Sequence, residues 1–535
     1  MNNYKHKFNI GIILLVFATF FSSCEKELDL QPITEKTSEN VFSDTDAYKQ
    51  SLAKIYGGFS LRGQDTSGNN DDIFGIDGNF SNYLRMLFTI QQLSTEEAII
   101  AWNDQTIHNF NNHLWDSSDI FVTAMYSRIY FQIALSNQFL RETEESVLDS
   151  RGNVDATLKN EIAGFKDEAR FLRAFSYWHG LDMYGSIPIV DENDPIGVFF
   201  PKQATSQEVF DFIEAELLDI ETRLPAPRQN EYGRADKAYA WMLLAKLYQN
   251  AEIYTGTAKN TEALDFTNRI INSNAYSLVP NYNYLYLADN DRNGAENEII
   301  YPFLFDGITN AAFGGTTYLV HAAIGGSMDA SIFGVNGGWG GLRTTEKFVE
   351  KFSDISGNTD SRAMFHTDGQ SLEITNPFDF SNGYAVTKYR NVDINGVAGS
   401  DASGNNVDVN FPVFRLADAY LMYAELFLRG AGGDAATAVG YINLLRERAY
   451  GDASGNISAG DLTLDFILDE RSRELYWENH RRTDLIRFNQ FSENSVWPFK
   501  GGTEAGAPSE SFRNLYPMPS AELNANPELV PTPGY

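Results

Sequence analysis

A row of glutamates near the C-terminus has the residue type and spacing for hydrolytic chemistry. Glu470, Glu474 and Glu478 recur at four-residue intervals, and a pair of carboxylates is what most glycoside hydrolases use for catalysis. Arg473 and Arg482 lie three or four residues from these glutamates, which is the spacing of ion pairs along a helix. The sequence contains neither an HExxH nor a GxSxG motif. These features predict a helix with paired charges and no enzyme.

The single cysteine of the chain follows an apolar N-terminal segment. Lys5 and Lys7 form a basic start, residues 10–21 are apolar, and two serines precede Cys24. This order is typical of a secretory signal peptide, and the run is shorter than the roughly 20 residues that a spanning helix needs. A cysteine at the exit resembles the signal of a bacterial lipoprotein, so we expect cleavage before Cys24 and acylation of its thiol. An ordinary secreted protein with a chance cysteine is the alternative.

The strongly acidic composition excludes several kinds of partner. The formal net charge of the full chain is -31, and removal of the signal peptide with its two lysines makes it more negative. Nucleic acid and anionic lipid both attract lysine and arginine, so neither is an expected partner. Membrane attachment would therefore depend on lipid chains, and a stable anchor takes more than one.

Helical periodicity dominates the first half of the chain. The clearest segment is 156–184, where Phe171 and Trp178 mark one apolar face, and Gly185 and Pro188 follow as stop signals. Small residues alternate with aromatic ones, which suggests paired antiparallel helices like those of tetratricopeptide (TPR) repeats. The sequence thus predicts a mainly α-helical, TPR-like scaffold. Its helical segments are 45–61, 117–144, 156–184, 206–224, 235–254 and 260–273.

The composition changes to glycine, asparagine and aspartate between residues 277 and 412. Short pieces such as EIIYPFLF, GTTYLVHAAI and YAVTKYR favour small strands, and a long stretch of this kind is usually functional loop packed on a scaffold. Helical periodicity then returns, and a proline-rich extended tail closes the chain. The later helical segments are 413–430, 434–449 and 461–491.

The predicted domain organisation follows from these changes of composition. Residues 1–23 form the signal peptide, 24–43 a lipid-anchored tether, and 44–535 a single domain. Within that domain, the predicted scaffold covers 44–275 and 413–491, and the loop-rich region 277–412 is expected to bind the ligand.

Several stretches together resemble the SusD/RagB family of outer-membrane glycan-binding lipoproteins. Within that family, QQLSTEEAIIAW, YLADNDRNGAENEIIYPFLFDG and GGTTYLV are most similar to the starch-binding branch. The resemblance implies an α-helical, TPR-containing fold without catalysis. It also implies a surface lid over a TonB-dependent transporter of the SusC type, into which oligosaccharides are loaded. The other matching stretches are CEKELDLQP, EARFLRAFSYWHGLDMYGSIPIV, GRADKAYAWMLLAKLY, PVFRLADAYLMYAELFLRG, ERSRELYWENHRRTDLIRF and NLYPMPSAELNANPELVPTPGY.

A glycan site needs flat aromatic rings for the C–H faces of sugars and polar side chains for their hydroxyl edges. Matched by local motif, the resemblance implies Trp102, Phe313 and Trp339 as a curved stacking surface for a helical α-glucan. It implies three further residues for the hydroxyls. These are Asp77, Arg85 and Gln105.

Three positions depart from the starch-binding pattern. The starch-binding branch has Asn in place of Gln105, Tyr in place of Phe313 and an additional Trp in place of Ile100. The loss of an aromatic ring and a phenol indicates weaker starch binding or a different glucan. Core packing is the alternative role for each aromatic residue, and a surface ion pair is the alternative for Asp77 with Arg85.

The segment 289–294 follows the first six positions of a calcium-loop pattern, but Ile300 replaces the glutamate that an EF-hand needs at position twelve. A polar turn is the alternative reading. The family resemblance implies a structural calcium ion between this loop and the acidic stretch before the PVFRL helix. Its ligands would be Asp291, Asp408 and Asn410.

Two other function classes remain open from the sequence. A helical-repeat protein can bind peptides in its grooves, and RagB-like members are peptide importers by resemblance. A glycan hydrolase is the second class. Within glycan binding, another polysaccharide such as laminarin is the alternative to starch. The loops 77–105 and 289–339 favour glycan over peptide.

Overall fold

The computed structural model describes residues 38–64 and 71–535. The predicted signal peptide, Cys24 and the tether as far as residue 37 lie outside these residues. The last part of the predicted tether is folded. Phe42 is buried against Tyr48, with ring centroids 4.8 Å apart.

Helices make up most of the N-terminal half, with one short strand, β1 (Ile99–Ile100), between the third and the fourth. The longest pack side by side: Ile120–Glu142 on Ala156–Tyr184, Ala156–Tyr184 on Ser206–Ile220, and Lys237–Gln249 on Asn260–Asn272. The helices are α1 (Ser38–Val41), α2 (Ala47–Gly57), α3 (Tyr83–Gln91), α4 (His108–Asn112), α5 (Ile120–Glu142), α6 (Glu145–Arg151), α7 (Ala156–Tyr184), α8 (Ser206–Ile220), α9 (Lys237–Gln249), α10 (Ala251–Thr255) and α11 (Asn260–Asn272).

The middle of the chain contains short strands and short helices, and longer helices return after it. The strands form antiparallel pairs, Ile99–Ile100 with Leu342–Arg343, Ile299–Phe303 with Phe411–Arg415, and Phe365–His366 with Ala385–Val386. The elements are β2 (Ile299–Phe303), α12 (Gly315–Ala322), β3 (Leu342–Arg343), α13 (Glu346–Val349), β4 (Phe365–His366), β5 (Ala385–Val386), β6 (Phe411–Arg415), α14 (Leu416–Leu428), α15 (Ala435–Tyr450), α16 (Leu464–Leu475), α17 (Arg481–Arg487) and α18 (Ser520–Ala525).

The scaffold helix α7 shows why local sequence predicts these elements well. Asp155 caps it, because its carboxylate accepts a hydrogen bond from the Leu158 N–H at 2.9 Å. The helix ends at Gly185, whose φ of 71° disfavours other residues. Its C-terminal half is buried all round, as expected for a helix that is apolar on most of its circumference.

Two predictions of element type were wrong. GTTYLVHAAI folds as helix α12 rather than as a strand, and its first residue, Gly315, donates its N–H to Asn82 Oδ1 at 3.0 Å. A short apolar run does not distinguish a strand from a buried helix. The start of the predicted helix 413–430 is instead strand β6, because Phe411–Arg415 pairs with Ile299–Phe303.

The predicted helix 461–491 is two helices, α16 and α17. The break lies at Trp477 and Asn479, whose φ angles are 61° and 65°. The Trp477 indole is fully buried, and its N–H donates to the Glu97 carbonyl at 2.9 Å. A hydrogen bond between residues 380 positions apart in the chain thus holds the turn. The helical periodicity of the segment does not predict this break.

The glutamate row of α16 and the following turn is buried and ion-paired. Arg415 donates to Glu298 at 2.9 Å, to Glu474 at 2.7 Å and to Glu478 at 2.7 Å, and all four side chains are inaccessible to solvent. Arg362, Arg446 and Arg473 pair with Glu470. These guanidinium groups hold the pKa of Glu470 down to about 2. The row is therefore a structural charge network.

The predicted local pairing was only partly right, since Arg473 does bind Glu470 but the other partners are distant in sequence. Arg481 binds Glu96, and Arg482 binds Asp182 at 3.2 Å. Over residues 38–64 and 71–535, no helix combines the length and the apolar character needed to cross a membrane.

Candidate functional site

Arg85 lies in the first turn of α3, where its backbone is fixed by the Asn82 side-chain cap. Its guanidinium carbon is 4.0 Å from the centroid of the Phe80 ring and 4.5 Å from that of Tyr318, and one N–H donates to the Asn79 carbonyl at 2.8 Å. Burial lowers the pKa of Arg85 to about 10, so the group stays charged at neutral pH. Arg85 thus supports the surrounding rings by cation–π contacts.

Trp102 extends this cluster toward the loop 336–341. Its ring centroid is 5.6 Å from the Arg85 guanidinium and 5.9 Å from the Tyr318 ring. The indole N–H donates to the backbone carbonyl of Trp339 at 3.0 Å. Gly341 packs against the indole so closely that a Cβ there would lie 2.5 Å from it. This position therefore needs glycine.

Trp339 is the middle ring of three. Its centroid is 6.3 Å from that of Trp102, with the planes tilted by 42°, and 6.4 Å from that of Phe313, with a tilt of 54°. Behind it, His321 stacks at 4.7 Å and 17°. Phe313 is 42% exposed, and the two tryptophans are partly exposed. Successive tilts mean that the three rings, here called the aromatic arc, do not lie in one plane.

The predicted polar residues lie around this arc. Asp77 is exposed, its carboxylate accepts the Asn79 N–H at 2.8 Å, and its charge favours protonation of Arg85. Gln105 is exposed three residues after Trp102 in a left-handed backbone conformation, with a φ of 43°. The structure therefore joins Arg85 and the three rings by contact, and it places Asp77 and Gln105 in the adjoining loops.

Sequence reasoning missed the residues that support the arc from behind. Tyr318 and His321 lie one turn apart on α12, and the Tyr318 hydroxyl and the His321 Nε2 have no hydrogen-bond partner among the described residues. Asp104 was also missed, and its charge favours protonation of Arg85 more than that of Asp77 does. Reading GTTYLVHAAI as a helix would have placed Tyr318 and His321 on one face.

The three predicted calcium ligands make contacts with other protein groups. Asp291 pairs with Arg292 at 2.7 Å on the surface. The Asp408 carboxylate accepts the Gly307 N–H at 2.7 Å, and Asn410 Oδ1 accepts the Phe305 N–H at 2.8 Å. Among the described residues, no three acidic, histidine or cysteine side chains form a group that could hold a metal. Each of the three predicted ligands thus has a protein partner in this arrangement.

The two segments do touch, through a different residue. The Asn290 side-chain amide donates to the Asn410 carbonyl at 2.8 Å. Calcium binding thus stays a prediction from the resemblance.

Chelation tests the calcium prediction. An ion bound only by the native state adds stability by mass action, so excess EDTA should lower the melting temperature if calcium is present. Differential scanning calorimetry with and without EDTA, together with elemental analysis of the untreated protein, measures this. An unchanged melting curve and no calcium in the sample would contradict it.

Two family models match the chain. The model described as "Starch-binding associating with outer membrane" matches residues 79–249, and the model described as "SusD family" matches residues 375–535. The starch-binding protein SusD of Bacteroides thetaiotaomicron is 31% identical to this chain, and the alignment covers 99% of each. The chain belongs to the SusD family. The predicted family is thereby confirmed.

Solved structures show the same fold. A SusD superfamily protein from Parabacteroides distasonis is 22% identical, with a TM-score of 0.69, and the match covers 94% of this chain and 100% of that one. Surface glycan-binding protein A from Bacteroides thetaiotaomicron, in complex with laminarihexaose, is 21% identical with a TM-score of 0.68, over 91% of this chain and 99% of that one. The predicted mainly helical, SusD-like fold is confirmed.

Membership of this family also confirms the prediction of a binding protein rather than an enzyme. The description of the matched model supports outer-membrane association and glycan binding in general terms. The part that each site residue plays stays a prediction.

Proposed function

We propose that this SusD family member binds α-glucan chains on its aromatic arc without cleaving them. The observation that carries the proposal is the curved set of rings of Trp102, Trp339 and Phe313. Sugar rings stack on aromatic faces through their C–H faces, and the successive faces of a helical α-glucan follow a curve. Asp77 and Gln105, exposed in the adjoining loops, are available to the sugar hydroxyls.

The starch-binding relative, with 31% identity over almost the whole chain, supports an α-glucan as the ligand. Two alternatives have their own support. A solved neighbour carries laminarihexaose, which favours a β-glucan, and RagB-like members suggest peptides. Phe313 lacks the hydroxyl of the tyrosine found in the starch-binding branch, and this difference favours a glucan other than starch.

Calorimetric titration of the domain separates these ligands. We expect maltoheptaose and amylopectin to bind with a Kd of about 0.01–1 mM, because a shallow site with a few stacking contacts supplies only about 4–7 kcal/mol. Laminarin, dextran and a peptide pool are titrated in parallel. Heat of binding from laminarin alone would identify the ligand as a β-glucan. Heat of binding from peptides alone would contradict glycan binding.

We also propose that the protein is anchored to the outer membrane by acylation of Cys24, faces the cell surface and delivers its ligand to a TonB-dependent transporter of the SusC type. The support is the order of basic, apolar and small residues before Cys24 and the outer-membrane association in the description of the matched family model. The acidic chain offers no electrostatic attraction to anionic membrane lipid. The acyl chains attached to Cys24 would therefore hold the protein at the membrane.

Replacing the cysteine tests the anchor. Cys24→Ala should move the protein from the membrane fraction to a soluble one, because the thiol that carries the lipid is lost. Cell fractionation with immunoblotting measures the shift, and Ser23→Ala is the matched control because it changes a neighbouring residue and leaves the thiol. Retention of the Cys24→Ala protein in membranes would contradict lipidation at this residue.

A further inference from the structure

Phe378 presents a second exposed aromatic ring beside the arc. It is 51% exposed, and it lies in the loop 375–382, outside the loops 77–105 and 289–339 that favoured glycan binding in the sequence. Its backbone N–H donates to Asn376 Oδ1 at 3.1 Å. A large apolar ring on the surface of a protein loses contact with water when a sugar face covers it.

A single buried arginine holds the backbone on both sides of this ring. Arg343 is fully buried, and its Nη2 donates to the carbonyls of Pro377 and Asp379, each at 2.9 Å. Its Nε donates to the Asn382 carbonyl at 2.8 Å. The backbone at Phe378 is therefore held in place before a ligand arrives, which reduces the conformational entropy lost on binding.

The same arginine connects this loop to the arc. Arg343 Nη1 donates to the Gly341 carbonyl at 3.1 Å, and Gly341 is the residue against which the Trp102 indole packs. Phe380, two residues after Phe378, lies 2.7 Å from where a Cβ of Gly325 would be, and Gly340 is next to it. The loop is thus packed directly on the segment that carries Trp339.

His108 connects the Phe378 ring to the backbone of Trp102. Its imidazole centroid is 4.5 Å from that of Phe378. Burial lowers the pKa of His108, and the nearby backbone of Trp102 partly offsets this effect. Its Nε2 is buried without a partner among the described residues. Gln105 is exposed in the loop between Trp102 and His108.

We infer that Phe378, with His108 behind it and Gln105 beside it, forms an additional subsite that extends the arc beyond Trp102. The subsite takes sugar residues of the same glycan chain once Trp102 and Trp339 are covered, so it selects for long oligosaccharides. This inference rests on the proposed glucan binding at the arc.

The test is the dependence of affinity on chain length in a Phe378→Ala variant, measured by calorimetry with maltotriose and maltoheptaose. Loss of one stacking contact should weaken maltoheptaose binding about three- to tenfold and leave maltotriose binding unchanged. Phe200→Ala is the matched control, because Phe200 is also exposed, at 52%, in a loop next to Pro201, which contacts the C-terminal tail through Asn526. It should change neither affinity.

The possible outcomes separate this inference from the proposed function. If the wild-type protein binds and Phe378→Ala leaves the affinity for maltoheptaose intact, the proposed subsite is contradicted and glucan binding at the arc is not. Equal weakening of both ligands also overturns the subsite, because Phe378 would then only support Trp102. If the wild-type protein binds neither ligand, the proposed function fails and the inference fails with it. An unchanged melting temperature of each variant shows that the fold is intact.

Discussion

Trp339→Ala is expected to weaken maltoheptaose binding at least about tenfold, or about 1.4 kcal/mol. Trp339 is the ring that touches both others, at 6.3 Å from Trp102 and 6.4 Å from Phe313. Its loss would leave two separated rings in place of a continuous surface. The hydrogen bond from the Trp102 indole to the residue 339 carbonyl does not depend on the side chain, so Trp102 should keep its place.

The same variant should lose some stability, because the indole is partly buried and stacks on His321 at 4.7 Å. The loss should be smaller than the roughly 3–5 kcal/mol that truncation of a core tryptophan costs. Trp477→Ala is the matched control, since Trp477 is fully buried and hydrogen-bonded to Glu97. It should lower the melting temperature strongly and leave the affinity of the folded molecules intact.

Calorimetric titration and thermal unfolding of both variants measure these effects. Trp339→Tyr should retain part of the affinity, because a smaller flat ring remains in place. Unaltered affinity of Trp339→Ala together with a large fall in melting temperature would assign Trp339 to the core and remove the centre of the arc.

Arg415→Ala is expected to cost about 3–5 kcal/mol of unfolding free energy, because removal of one partner leaves buried charges uncompensated. Arg415 contacts Glu298, Glu474 and Glu478, and all four side chains are inaccessible to solvent. It also donates to the Glu474 carbonyl at 2.7 Å. Urea denaturation followed by circular dichroism gives the free energy of unfolding for the wild type and the variant.

Arg292→Ala provides the matched control for Arg415. Arg292 pairs with Asp291 at 2.7 Å, but the side chains are 65% and 37% exposed, and exposed pairs contribute about 1 kcal/mol at most. Equal, small losses in the two variants would contradict the assignment of Arg415 to a network that the fold needs. Failure of Arg415→Ala to accumulate as folded protein, with Arg292→Ala folded normally, would support it.

Local signals in the sequence predicted the helices that carry their own caps and periodicity. The segment 156–184 was predicted with the bounds that α7 has in the structure. Asp155 supplies its N-terminal cap, Gly185 ends it, and apolar residues between them repeat at helical intervals. Each of these signals acts within a few residues of the chain, so the bounds of such a helix can be predicted from the local sequence alone.

The candidate site was also predicted in part, but from the family resemblance rather than from local signals. Trp102, Phe313 and Trp339 were named from resemblance to a family, and the structure brings their rings together. Four glycines flank Trp339, and they offer no side chains to cover its ring. The cover comes instead from His321 on α12, a segment that the sequence analysis assigned to a strand.

The sequence by itself determined the family, the helical scaffold, the acidic surface and the three rings of the arc. Tertiary structure alone decided which charges pair with Glu474, where the segment 461–491 breaks, and that Phe378 packs against His108. The physical reason is the separation along the chain. Arg415 and Glu474 are 59 residues apart, and Trp477 and Glu97 are 380 apart. Such contacts form only when distant elements pack, and they cannot be predicted from the spacing of nearby residues.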